Sequence, residues 1–161
     1  EYVRPAIAAD MPVLIALLQE AQVWMDGRSL HQWVPGAHDP SLVEAMIARQ
    51  TLYVHERDGR IVATCQLRDV LPAHWTIPHE PVGYISTLTV ERASAGQGIG
   101  ANLLRWAEGE LRGKGKAWAC LDCFGKNLRL RAYYEARGYT ALGEVETYPD
   151  YPERMYRKPL R

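Results

Sequence analysis

The sequence predicts an α/β (α+β) protein built on a mixed, mainly antiparallel central sheet flanked by helices. Three observations predict it. Apolar periodicity switches between strand-like and helix-like spacing along the chain, in the order β-α-α-β-β-β-α-β-α-β-β. That order places a strand meander in the middle and strand–helix units after it, which a mixed sheet with packed helices accommodates. The run from Leu88 to Leu104, Leu-Thr-Val-Glu-Arg-Ala-Ser-Ala-Gly-Gln-Gly-Ile-Gly-Ala-Asn-Leu-Leu, reads as a strand that ends, a short loop, and a glycine-rich turn opening into a helix.

The elements follow in order. Tyr2–Arg4 suits a short strand. From about Ala9, Val13, Leu14, Leu17, Leu18 and Ala21 recur at helical spacing, with Asp10 and Pro12 at the tolerant N-terminal end. Trp24–Asp39 breaks the period and holds Gly27, Pro35 and Gly36, so a loop or broken helix is expected. Ser41–Gln50 predicts a second helix with Ser41 as N-cap and Leu42, Ala45, Met46 and Arg49 on one face. Leu52–Glu56 and Arg60–Leu67 flank Asp58-Gly59, a strong hairpin signal. Leu71–Pro81, with three prolines, is a loop, and Val82–Val90 a strand. A helix from Gly98 to about Arg112 ends at Gly113 and Gly115. Ala117–Cys123 is a strand, and Asn127–Arg137 a helix with Gly138 as C-cap. Tyr139–Val145 and Arg154–Lys158 are strands, with the segment Tyr148–Pro152 between them.

The 161 residues predict a single domain spanning 1–161. A hydrophobic fraction of 47% is ample for a core. Lys plus Arg equals Asp plus Glu, 19 each, which argues against nucleic-acid or membrane-surface binding through bulk charge. No apolar run reaches membrane-spanning length and no signal-peptide pattern opens the chain. Cys65, Cys120 and Cys123 are an odd number of thiols, as expected of a reducing, cytoplasmic setting. Cys120 and Cys123 spell C-x-x-C, but residues three apart on a strand face opposite ways, so buried structural thiols are expected. The five histidines show no metal-ligand spacing, and no metal is assigned.

Gly96, Gly98 and Gly100 leave backbone N–H groups uncovered by Cβ atoms. The helix that follows adds its unpaired N–H groups and dipole, so a phosphate or pyrophosphate site is expected. A P-loop is excluded: Gly113-Lys114 is followed by Gly115. A dinucleotide fingerprint fits Gly96, Gly98 and Ala101, with Asp122 downstream. Glu91–Ala95 intervene between strand and first glycine, however, and too few β-α units follow for a doubly wound oxidoreductase.

More residues are absorbed by a third pattern. Leu88-Thr-Val90, Gly96-Gln-Gly-Ile-Gly100 and Leu103-Leu104 resemble the acetyl-CoA-binding segment of the GCN5-related N-acetyltransferase (GNAT) superfamily. Leu121-Asp-Cys123, Asn127 and Tyr133-Tyr-Glu-Ala-Arg-Gly-Tyr139 are similar to the segment that follows it, and Arg4-Pro-Ala with Ala9-Asp10 resembles the family's N-terminus. The resemblance covers essentially the whole chain. It implies a GNAT-like acyl-CoA N-acyltransferase fold and transfer of acetyl from acetyl-CoA to a primary amine of a small molecule or peptide, by direct attack in a ternary complex. Homodimerisation is compatible with it. The implied cofactor contacts are Leu88, Thr89, Val90, Ala95, Gly96, Gln97, Gly98, Ile99, Gly100, Ala101, Asn127 and Tyr134. Ala95 departs from the family's usual Gln or Arg there, at the cost of one phosphate contact.

Asn127 and Tyr134 are seven residues apart and share a helix face; Tyr133 is rotated about 100° from it. Tyr134 accordingly resembles the family's general acid for the departing thiolate, and Asn127 the amide on the coenzyme arm. No glutamate stands on the fourth strand as base; Tyr84, Ser86, Thr87 and Thr89 lie on it, with His79 and Glu80 just before. Trp24, Trp33, Trp75, Tyr148 and Tyr151 fall in expected loops, where binding residues concentrate. Trp24, Trp33, Tyr84 and Tyr148 are the expected acceptor contacts. The rival function, given the missing base, is a catalytically silent acyl-CoA-binding sensor or interaction module.

Overall fold

The computed structural model describes residues 1–76 and 80–161; residues 77–79, and with them His79 and part of the expected proline loop, lie outside. The described strands and helices are β1 (Tyr2–Pro5), α1 (Met11–Asp26), α2 (Pro40–Ala48), β2 (Leu52–Arg57), β3 (Arg60–Arg68), β4 (Val82–Val90), α3 (Ile99–Gly113), β5 (Trp118–Phe124), α4 (Leu128–Glu135), β6 (Thr140–Tyr148) and β7 (Tyr151–Pro159). Among the described residues one seven-stranded sheet runs β1-β2-β3-β4-β5-β7-β6. All its neighbours are antiparallel except β4 and β5. The expected element order and mixed sheet are both present.

Local chemistry explains most of the boundaries. Asp58 and Gly59 both take positive φ, 52° and 74°, the backbone of a two-residue hairpin turn whose twist matches the flanking strands. Arg4 on β1 pairs with Asp10 at 2.8 Å, and Asp10 also accepts the Ile7 N–H at 2.8 Å, which fastens the start of α1 to the sheet edge. Asn127 caps α4, its Oδ1 accepting the Leu130 N–H at 3.1 Å.

Helices cover both faces of the sheet. On one, Leu103, Leu104, Ala107 and Leu111 of α3 and Tyr134 of α4 pack on Val62, Ile85, Leu121 and Tyr156. Each fully buried leucine there contributes about 2 kcal/mol relative to an exposed one. Gly83 lets α3 sit this close, since a Cβ on it would lie 2.3 Å from the Leu111 side chain. On the other face, Leu14, Leu17 and Leu18 of α1 and Val43 of α2 pack on Leu52 and Val54.

Several boundaries differ from expectation. Helix α1 runs to Asp26, so Trp24 is helical; Gly27 sits just past its end. Helix α2 begins at Pro40, a residue suited to the first turn, with Asp39 rather than Ser41 at the N-cap position. Its buried side is set by Val43, with Leu42 exposed, one residue round from the expected face. Strands β6 and β7 are longer than expected. Tyr148 pairs with Tyr151 across a tight turn holding Asp150 at φ 61°, so most of the segment expected between the strands belongs to them. Cys120 and Cys123 do pack into different clusters, one on each side of β5. Burial pushes both thiols up to about 12, far from a reactive thiolate.

Candidate active site

The site begins where the sheet comes apart. β4 and β5 pair only over Val82–Tyr84 and Trp118–Cys120; beyond them the strands diverge. On its other side β4 is bulged: Thr64 faces Thr89 and Gln66 faces Ser86, so Thr87 and Leu88 together oppose Cys65. Thr87 takes φ 55°, an unfavourable backbone for a β-branched residue that costs on the order of 1–3 kcal/mol. A bulge bends and re-aims its strand. Here it turns the free edge of β4 toward the split.

A cleft of about 980 Å³ occupies the split. One end is backbone. Gly96 and Gly98 take φ 78° and 81°, and a Cβ on either would meet nothing within 4 Å: it would project into open space where a ligand can approach. Asn102 is the first residue here whose N–H reaches a backbone carbonyl, that of Gly98 at 3.0 Å. The preceding N–H groups and the α3 dipole make an anion cradle. Ala95, Gly96, Gly98, Ile99, Gly100 and Ala101 line it, as do Leu88, Thr89 and Val90. Gln97 does not; its Oε1 turns away to accept from Arg57 at 2.7 Å. The open cradle and adjoining free strand edge fit a pyrophosphate with an extended arm.

Asn127, Tyr133 and Tyr134 line the wall between the two ends. Tyr134 is buried against Tyr139 and Tyr156, with ring centroids 5.8 and 6.1 Å away. Burial holds its hydroxyl well above the ordinary phenol range, so it stays protonated. Tyr133 also reaches the cleft, contrary to the expectation that its helical phase points it elsewhere. Its hydroxyl lies 3.5 Å from the Cβ position of Gly100, at the cradle, and Arg137 lies over its ring at 3.5 Å.

The other end is made of side chains. Asp122 on β5 lines the cleft and accepts a hydrogen bond from the Tyr84 hydroxyl of β4 at 2.5 Å, across the mouth of the split. Burial first, and the neighbouring Glu153 carboxylate second, push Asp122 up to about 7. Glu153 itself pairs with His74 at 2.7 Å. The Tyr151 hydroxyl and Arg68 Nε are buried with no hydrogen-bond partner among the described residues. Asp122 is a titratable group in the cleft that the sequence does not single out as a candidate base. The signal was present: an acidic residue between two cysteines in an otherwise apolar strand, on the same face as Cys120 and opposite Cys123.

The roof comes from α1 and the connection to α2. Trp24, Arg28, Gln32, Trp33 and His38 line the cleft from that side. Gln32 Oε1 accepts the Phe124 N–H of β5 at 3.0 Å, and His38 Nε2 lies 3.4 Å from Thr87 Oγ1 of β4. Burial lowers His38 to about 4, so it is neutral and suited to hydrogen bonding rather than charge. Of the expected acceptor contacts, Trp24, Trp33 and Tyr84 line the cleft. Tyr148 stands exposed at the β6–β7 turn, outside it. Ser86, Thr87 and Thr89 line it too, whereas Glu80 is exposed and does not. Among the described residues no group of His, Cys, Asp and Glu could hold a metal ion, and no helix is long and apolar enough to cross a membrane.

Comparison with known proteins agrees with this architecture. Residues 17–139 match the acetyltransferase (GNAT) family. The chain is 33% identical over 128 residues to the S-(2-succino)cysteine N-acetyltransferase of Bacillus subtilis (strain 168), covering 76% of this chain and 74% of that protein. It is 29% identical over 150 residues to the N-acetyltransferase YesJ of the same organism, covering 88% and 83%. The crystal structure of a GNAT-family acetyltransferase from Listeria monocytogenes superposes with TM-score 0.82 at 20% identity, over 98% of this chain and 94% of that one.

Proposed function

The chain belongs to the acetyltransferase (GNAT) family, and from that premise we propose that this N-acetyltransferase moves acetyl from acetyl-CoA onto a primary amine by direct attack. The observation that carries the reading is one continuous cleft with a backbone anion cradle at one end and Asp122 at the other. The cradle of residues 95–101 takes the pyrophosphate, and the free edge of β4 at Leu88–Val90 takes the pantetheine arm as an added strand. Holding both reactants in one cleft supplies much of the acceleration through proximity.

Asp122, poised near neutrality, accepts a proton from the incoming ammonium, directly or through one water. The freed lone pair attacks the thioester carbonyl carbon, and a Val90 N–H aimed at the carbonyl oxygen would stabilise the oxyanion. The C–N bond forms and the C–S bond breaks. The Tyr134 hydroxyl protonates the departing thiolate, and its proton is restored from solvent as Asp122 releases its own. Tyr134 is a weak acid here, but the burial that raises it raises the thiolate as well. A silent acyl-CoA-binding role is suggested by a missing base, and the reading of Asp122 as base argues against it. A reducing, cytoplasmic setting is our reading too, supported by three buried free thiols.

The test is a thiol-release assay with acetyl-CoA across an amine panel. Tyr134→Phe should lower kcat roughly 10- to 1,000-fold with little change in CoA affinity. Tyr133→Phe, at the cradle, should instead act mainly on the KM for acetyl-CoA. Wild-type turnover by Tyr134→Phe, or a larger kcat loss in Tyr133→Phe, would remove Tyr134 from the role of acid.

A further inference from the structure

Four arginines line the cleft without a carboxylate partner among the described residues, Arg28, Arg92, Arg129 and Arg137, and the first two meet on one side chain. Arg4, Arg57, Arg60 and Arg154 each meet a carboxylate. Arg28 and Arg92 have no acidic side-chain partner among the described residues. Arg28 Nη1 donates to the Trp24 carbonyl at 3.2 Å. Arg92 meets Glu20 only through its backbone N–H, at 3.0 Å, and leaves its guanidinium unpaired.

Both instead lie over one indole. Arg92 Cζ is 3.7 Å and Arg28 Cζ 4.3 Å from the Trp24 ring centroid. All three side chains line the cleft. Stacking on a half-buried ring contributes only about 1 kcal/mol each, while two like charges on the same ring repel. An anion bound there relieves that repulsion. The flat fork of a guanidinium matches a carboxylate with two parallel hydrogen bonds. Phosphates of the donor have their own cradle at the start of α3, with Arg137 stacked on Tyr133 beside it.

Resting on the acetyl-transfer reading, we propose that the acceptor is an amine that also carries a free carboxylate. Arg28 and Arg92, held on Trp24, bind the carboxylate while Asp122 on the opposite strand receives the amine's proton. This favours amino-acid-like acceptors over polyamines, simple arylalkylamines and peptide N-termini.

The test pairs each amino acid with its decarboxylated amine: L-phenylalanine with phenethylamine, L-tryptophan with tryptamine, L-ornithine with putrescine. An alanine-initiated peptide with an amidated C-terminus completes the panel. At least one amino acid should exceed its partner in kcat/KM by about 100-fold, the scale of two charge-assisted contacts. Arg28→Ala and Arg92→Ala should each raise the KM for that amino acid roughly 10-fold, leave the KM for acetyl-CoA within about twofold, and leave the decarboxylated partner unaffected. Arg92→Glu should reverse the preference within the pair. An unchanged rise in melting temperature with CoA shows that each variant is folded. Equal use of both members of every pair, or preference for the peptide, overturns the proposal. So does a KM effect confined to acetyl-CoA, which would make the pair a phosphate site. If nothing in the panel is acetylated, the amino acids should still raise the melting temperature of the CoA complex above their partners; failing that, the proposal falls. If CoA itself produces no shift, the acetyl-transfer reading fails first and takes this proposal with it.

Discussion

The two ends of the cleft are built from different materials. The proposed donor end is one continuous stretch, residues 95–101, and presents backbone N–H groups from left-handed glycines and a helix start. The proposed acceptor end assembles side chains from α1, the α1–α2 connection, β4 and β5, which sequence separates by up to about a hundred residues. A backbone site depends on the local path of the chain and on the absence of Cβ atoms. A side-chain site depends on how distant segments pack. The first should be sensitive to bulk at one or two glycines. The second should be sensitive to charge and to pH.

The largest effect expected is at the donor end. Gly98→Val places a β-branched residue at φ 81° and points its side chain into the cradle. CoA affinity should fall by about 100-fold or more, read as loss of the CoA-induced rise in melting temperature. An undiminished shift would mean that the cradle is not where the phosphates bind.

Asp122→Asn probes the other end, with an intermediate effect. It keeps the shape and can still accept from Tyr84, but it cannot take a proton. kcat/KM at pH 8 should fall about 100-fold, and the rising limb of the pH profile, with its midpoint near 7, should disappear. Stability should move the opposite way. The folded carboxyl binds its proton more tightly than the unfolded one. Its stabilising contribution is therefore full below the ordinary aspartate pKa of about 4 and is lost as pH rises to about 7. Above pH 7 the Asn variant, spared a buried charge, should melt no lower than wild type. A large drop in melting temperature with a retained pH limb would make Asp122 structural.

The smallest effect returns to the donor end. Ala95→Arg adds a guanidinium to an intact cradle and should tighten CoA binding only a few-fold, with the gain shrinking as salt is raised. No gain at low salt would place Ala95 away from the phosphates.

This contrast also decides what could be read from the sequence. The glycine cradle and the strand–turn–helix that holds it were legible, because glycine spacing and apolar periodicity are local signals. Strand β4 was expected at its observed bounds, and Asn127 does begin its helix. The bulge at Thr87 left no trace, since a threonine in a strand gives no hint of a positive φ. The surroundings of Asp122 were hidden for a related reason. Its proximity to Tyr84 and Glu153 arises from strand pairing across 38 and 31 residues, and its elevated pKa arises from burial. Trp24 was placed in a loop because Gly27 and Pro35 dominate that window, yet packing of Leu17, Leu18 and Ala21 carries α1 a further turn.

The connection between α1 and α2 touches both lips of the split, Phe124 through Gln32 and Thr87 through His38, and adds nothing to the strand ladder. Its residues can therefore be exchanged without disturbing the register of any strand or the helix that cradles the donor. On the proposed reading, substrate range and reaction chemistry would come under separate genetic control. Drift within residues 27–39 can explore new amines while the acetyl-transfer apparatus stays intact, and a laboratory library confined to that segment would start every member from a protein that still binds its donor.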